Sequence, residues 1–264
     1  MMSSLVKKAK GGLADSRQIV IPAVTMVVLL VAWELSVRLG LVPNFLLPSP
    51  TQVVSAMVTD APLLASHAGT TIMESVLGLV IGVAVGFLAA VLMDRFEVIY
   101  LAFNPLITIS QTIPTVAIAP LLVLWFGYGL APKVILIVLT TFFPVAVSLV
   151  SGFRSVDPDM IDLMRTMGAS NTQIFWQVKI PAALDQFFSG LRISATYAIV
   201  GAVIAEWLGG FSGMGVYMTR VRKSFSYDRM FAVIILISVL SLALMRLVGL
   251  LERVSMPWKH VEGK

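Results

Sequence analysis

A chain of 264 residues, 58% of them hydrophobic and only 12% charged, has too little polar surface to cover a water-soluble globule. Its mean hydropathy of +0.94 is that of a protein dissolved in a bilayer. The net charge of +5 would suit a nucleic-acid partner, but the basic residues flank apolar runs, where they orient a chain in a membrane instead.

Cysteine is absent, which excludes disulfides and thiolate metal sites. The two histidines, His67 and His260, form no ligand cluster, so both are read as surface residues and no metal is expected. A spanning helix needs about 20 mostly apolar residues. Windows of that kind predict an all-α polytopic membrane protein with six spans, at 18–38, 68–93, 101–126, 132–151, 189–208 and 230–250. Residues 1–17 are read as an N-terminal arm and 18–264 as one transmembrane domain. Lys7, Lys8, Lys10 and Arg17 resemble the basic start of a signal peptide, but the apolar run that follows is long and has no A-x-A cleavage pattern, so it is read as a retained anchor. Charge counting puts both termini, the 94–100 turn and the 152–188 segment in the cytoplasm. Arg220, Arg222, Lys223 and Arg229 run against that tendency, in an outer loop.

In the second span, Gly78, Gly82 and Gly86 form a small-residue stripe for close helix packing. Glu74, near its outer end, is read first as interfacial and second as a path residue. The third run holds Pro105, Pro114 and Pro120 with Asn104, Gln111 and Thr112, too broken for a plain lipid-facing helix. It is expected inside the bundle, where neighbours satisfy the freed backbone, with Gln111 either on a path or bonding between helices.

Between the fourth and fifth runs lies a polar stretch with strong capping chemistry. Asp157 can cap a helix that has Pro158 at its first position, Asp159 and Asp162 favour its positive end, and Gly168 can stop it in a left-handed turn. Met160, Met164 and Met167 give this helix one apolar face. Ser170 and Gln173 form a capping box for a second short helix carrying Ile174, Phe175 and Val178, expected to end before Pro181. In the fifth span, Arg192 is read as snorkelling to headgroups. Glu206 and Trp207 are read either as path or outer-gate residues or as an interfacial pair.

Three separated regions carry a resemblance to a known family. Asp162, Leu163 and Met164, then Gly168, then Val178, Ile180 and Pro181 resemble the EAA loop of ATP-binding-cassette (ABC) importer permeases, with the acidic charge kept and both small residues replaced. The stretch ISQTIPTVAIAPLLVLWFGYGLAPKVI, from Ile109 to Ile135, resembles the nitrate, sulfonate and taurine branch, as does GFSGMGVYM from Gly210 to Met218. The resemblance implies a type I permease subunit in a bacterial inner membrane, paired with a second permease copy. It also implies two cytoplasmic ATPases that dock on the loop and a solute-binding protein outside. ATP and magnesium would belong to the ATPase, and no phosphate loop of G-x-x-x-x-G-K-[ST] type occurs here, so no cofactor and no enzymatic activity are expected on this chain. AEWLGG and GVYM are reminiscent of permeases for the pyrimidine precursor of thiamine, and few cations in the spans with Trp207 and Tyr217 suit an uncharged heterocycle. The basic outer loop favours nitrate, sulfonate or taurine. A proton- or sodium-coupled secondary transporter is the alternative, but neither an internal repeat nor paired midspan acids is found. A membrane enzyme would need a catalytic constellation, and none is visible.

Overall fold

A computed structural model describes the backbone of residues 2–260 and the side chains of residues 20–258. The side chains of Lys7, Lys8, Lys10 and Arg17, and that of His260, lie outside the described residues. Every regular element among the described residues is a helix. In chain order they are α1 (Met2–Arg38), α2 (Pro50–Thr59), α3 (Ala61–Arg95), α4 (Glu97–Ser110), α5 (Thr115–Phe126), α6 (Leu130–Arg154), α7 (Pro158–Thr166), α8 (Asn171–Ile174), a π-turn (Phe175–Lys179), α9 (Ile180–Leu208), α10 (Met214–Lys223) and α11 (Tyr227–Ser255). Among the described residues, five helical stretches are long and apolar enough to cross a membrane, or six if α4 and α5, bent by 99° to each other, together make one broken span.

The chain divides into two units. The smaller comprises residues 1–61 and 221–232. Within it, Glu34 near the end of α1 accepts from the Thr51 amide (3.1 Å) and hydroxyl (2.9 Å) at the start of α2. Ser49 caps α2 in a complete capping box with Gln52, and Arg229 pairs with Asp60 at 3.1 Å.

The larger unit comprises residues 62–220 and 233–264 and is built around α6. Lipid offers no hydrophobic drive for helices to associate, so contact depends on close fit. On α3 the fit comes from the glycine stripe. A Cβ at Gly78 would lie 2.5 Å from Ile137, one at Gly82 2.0 Å from the Thr141 hydroxyl, and one at Gly86 3.0 Å from the Phe142 carbonyl. On the other side, α6 and α9 form the most extensive helix pair. There Ala195, Ala198 and Ala202 are fully buried, and Ser194 donates to the Thr141 carbonyl at 2.7 Å.

The third run differs from expectation. Its helices break over residues 111–114, with Pro114 capping the start of α5, but they do not lie inside this chain's bundle. Leu106, Ile109, Leu124 and Trp125 are all more than half exposed, and only Ile107, Ala119 and Leu122 are buried. Proline frees backbone groups wherever it falls in a helix, so it marks a break and not a depth.

Gly82→Leu should destabilise the fold by about 1–3 kcal/mol, as overpacking typically does. Gly69, on the same helix, has no atom within 4 Å of a Cβ. Thermal unfolding in detergent should therefore fall for Gly82→Leu and hold for Gly69→Leu.

Candidate functional site

Two sites stand at opposite ends of α3. At the end bearing residues 94 and 95, the capped loop forms largely as its residues dictate. The Asp157 carboxylate accepts from the Asp159 amide at 2.9 Å and Pro158 takes the first turn of α7. Gly168 has φ +83°. It ends α7 in a Schellman motif, its amide donating to the Arg165 carbonyl (2.9 Å) and that of Ala169 to Met164 (3.0 Å). Ser170 and Gln173 complete the capping box of α8.

The helix then fails to stop before Pro181. It passes through one π-turn, in which the Ile180 amide reaches the Phe175 carbonyl, and continues as α9. A proline ring inside a helix clashes with the carbonyl four residues back, and widening that turn removes the conflict. Val178 and Ile180 are half-buried there and Pro181 is exposed.

No residue of α7 is buried. Met160 is 50% exposed, Leu163 56% and Met167 75%, so the apolar face expected from the methionine spacing is open and not folded onto the chain's own spans. Asp162 is also exposed, 3.3 Å from Arg165. A flexible, polarizable apolar face beside charge is suited to packing against a partner.

At the other end, a buried polar cluster organises the start of α10. Three consecutive amides at that helix end need acceptors. Gly213 donates to His67 Nδ1 (3.0 Å), Met214 to Thr71 Oγ1 (2.8 Å) and Gly215 to Glu206 Oε2 (2.6 Å). Thr71 in turn donates to Glu206 Oε1 at 2.7 Å. The carboxylate thus faces the positive end of the helix dipole. The approach requires glycine at two positions. A Cβ at Gly213, where φ is +123°, would lie 2.2 Å from the Glu206 carboxyl carbon, and one at Gly215 2.9 Å from Glu206 Cβ. Beside this group, Lys133 of α6 donates to Glu74 of α3 at 2.6 Å, and both side chains are at most 6% exposed.

Several expectations are corrected by this arrangement. Glu74 is not interfacial but 3% exposed and paired. His67 is not a surface residue but 4% exposed and accepting a backbone bond. Tyr217 is buried on α10 with its ring 5.4 Å from that of His67, not open to a path. Arg192, half-exposed on α9, is paired with Glu252 of α11. In each case a polar side chain meets a partner on a distant segment, which local sequence does not reveal. Lys133 was missed altogether. Its signal was a lone lysine three residues into the apolar run LAPKVILIV, which requires an acidic partner.

The three residues expected on a path lie apart. Glu206 is 1% exposed and turned into the cluster, whereas its neighbour Trp207 is 47% exposed. Gln111 is exposed at the break between α4 and α5. Among the described residues, no group of three or more acidic or histidine side chains could hold a metal ion.

Comparison with known proteins agrees on one family. Residues 82–254 match the family described as the binding-protein-dependent transport system inner membrane component. A probable ABC transporter permease protein of Haemophilus influenzae is 39% identical over 84% of this chain and 91% of its own length. The formylaminopyrimidine transport permease protein ThiX of Halalkalibacterium halodurans is 36% identical over 92% of this chain and 98% of its own. The taurine transport system permease protein TauC of Escherichia coli is 30% identical over 92% and 91%. Among solved structures, an amino acid ABC transporter crystallised with histidines matches in fold with a TM-score of 0.61 and 22% identity, over 75% of this chain and 96% of that one.

Removing one partner of a buried ion pair leaves an uncompensated charge and typically costs about 3–5 kcal/mol. Lys133→Met should destabilise the detergent-solubilised protein on that scale, and Glu74→Leu combined with Lys133→Met should recover most of the loss, measured by chemical unfolding.

Proposed function

The chain belongs to the family of binding-protein-dependent inner-membrane components of ABC importers, and on that premise we propose how it is driven and what it carries. As a permease subunit it is not an enzyme, and ATP hydrolysis belongs to a separate subunit. ATP and magnesium are held by that ATPase, and no cofactor is bound by this chain. A homodimer of this chain, two ATPases and an extracytoplasmic solute-binding protein make up the transporter, with both termini of the permease in the cytoplasm.

The observation that carries the coupling role is the exposed α7, bounded by a capped start and a left-handed glycine end. Asp162, Leu163, Met164 and Gly168 form the surface on which an ATPase docks, while Val178, Ile180 and Pro181 join it to α9. Because Leu163 and Met164 replace small residues, this contact is bulkier and softer than the family pattern. When the ATPases close on ATP they carry α7 with them and rock the spans between inward-facing and outward-facing packings.

The substrate we favour is a formylated aminopyrimidine or a related uncharged heterocycle, followed by taurine, sulfonate or nitrate. The likeness to ThiX over nearly the whole of both chains supports this order. So does the pairing of Lys133 with Glu74 and of Arg192 with Glu252, which leaves neither cation free to compensate a small anion. Trp207 and Gln111 line the path, and Glu206 sets the outer gate through α10.

Leu163→Asp should abolish co-purification of the ATPase while the permease itself remains folded. Gly168→Val, which forces a β-branched residue into the left-handed region, should uncouple ATP hydrolysis from uptake or release the ATPase. Normal recruitment and normal uptake in Gly168→Val would refute the lever. For the substrate, the cognate solute-binding protein should show a thermal shift with formylaminopyrimidine and a smaller one, or none, with taurine. Glu206→Gln should assemble normally and lose uptake.

A further inference from the structure

The loop's ties to the bundle converge on one short segment. Arg154, the last residue of α6 before the loop, pairs with Glu97 at 2.8 Å and lies 3.4 Å over the Tyr100 ring. Lys179, the last residue of the π-turn after the loop, donates to both oxygens of Asp94, at 2.7 and 3.0 Å. Asp94 is in the last turn of α3 and Glu97 opens α4, so the entry and exit of the loop grip the same α3–α4 elbow. Between these ties α7 stands off the bundle. Open clefts of about 350 and 540 Å³, both reaching Asp94, Ile161, Arg165 and Lys179, separate it from the spans.

We propose that the Asp94–Lys179 pair is a positioning clamp through which displacement of α7 is delivered to the α3–α4 elbow, and thence to the broken helix α4–α5. This rests on the coupling role given to α7 above. The two pairs are unequal. Arg154 and Glu97 are 43% and 65% exposed, and an exposed pair contributes little, whereas Lys179 and Asp94 are 21% and 11% exposed with a two-oxygen contact. The π-turn sets the geometry of this contact. One residue advances a helix by about 100°, so a turn without the extra residue would carry Lys179 off the face that meets Asp94. Arg154 steadies the other arm by its aromatic contact.

Since the chain has no native cysteine, a single reporter can be placed cleanly. Thr112→Cys, exposed at the α4–α5 break, would be labelled by a maleimide in the full complex with ATPase, with and without ATP and vanadate. The wild-type background should show nucleotide-dependent labelling. Lys179→Asp should retain the ATPase yet lose that dependence about tenfold, equivalent to ~1.4 kcal/mol of coupling. Asp94→Lys combined with Lys179→Asp should restore it, and Lys179→Arg should keep it. Retained ATPase with unchanged nucleotide dependence in Lys179→Asp would overturn the clamp alone, as would failure of the charge swap to rescue a complex that still assembles. Absence of ATPase binding in the wild-type background would instead overturn the coupling role on which the clamp rests.

Discussion

Close approach of helix backbones holds the larger unit together. With lipid as apolar as leucine, burying a leucine between spans brings no advantage over leaving it in the bilayer, and attraction depends on how many atoms reach van der Waals distance. The absence of side chains at Gly78, Gly82 and Gly86 lets α3 settle on Ile137, Thr141 and Val145 of α6. Alanine and serine do the same for α9 on the opposite flank. With α3, α6 and α9 in register, polar groups on three separate helices arrive at one place.

That register makes the buried charges tolerable. Glu74 and Lys133 are separated by 59 residues in sequence and meet only because α3 and α6 touch along their length. Among the described residues Glu206 has no cation in hydrogen-bond contact, yet it has an amide, a hydroxyl and the head of a short helix to face. The two arrangements neutralise two carboxylates by different means, a point charge in one case and oriented backbone dipoles in the other. Both sit where α10 begins, so the placement of that helix depends on α3 and α9 together.

What could be read from the sequence was what is local. The caps at Asp157 and Ser170, the stop at Gly168 and the methionine face of α7 involve partners within a few residues, and the structure has each of them. The spans were equally legible because hydropathy needs no partner. Hidden were the contacts that join distant segments, such as His67 with Gly213 across 146 residues, and the helix α10 inside what read as a loop. Pro181 misled for a different reason. Its usual effect as a helix breaker assumes an ordinary α-turn ahead of it, and the chain supplied a wider one.

The π-turn gives the interval between Gly168 and Pro181 a meaning in angle as well as in length. A helix that continues from a loop tied in place has its azimuth set by the number of residues wound before it, and in an uninterrupted α-helix a single added residue turns everything downstream by about 100°. Here that phase decides whether Ala195, Ala198 and Ala202 look toward the rest of the bundle or toward lipid. Substitutions in this interval can be absorbed locally. An insertion or deletion that is not taken up by widening or narrowing a turn would instead rotate a helix of 29 residues as a unit and present its smooth face to the bilayer.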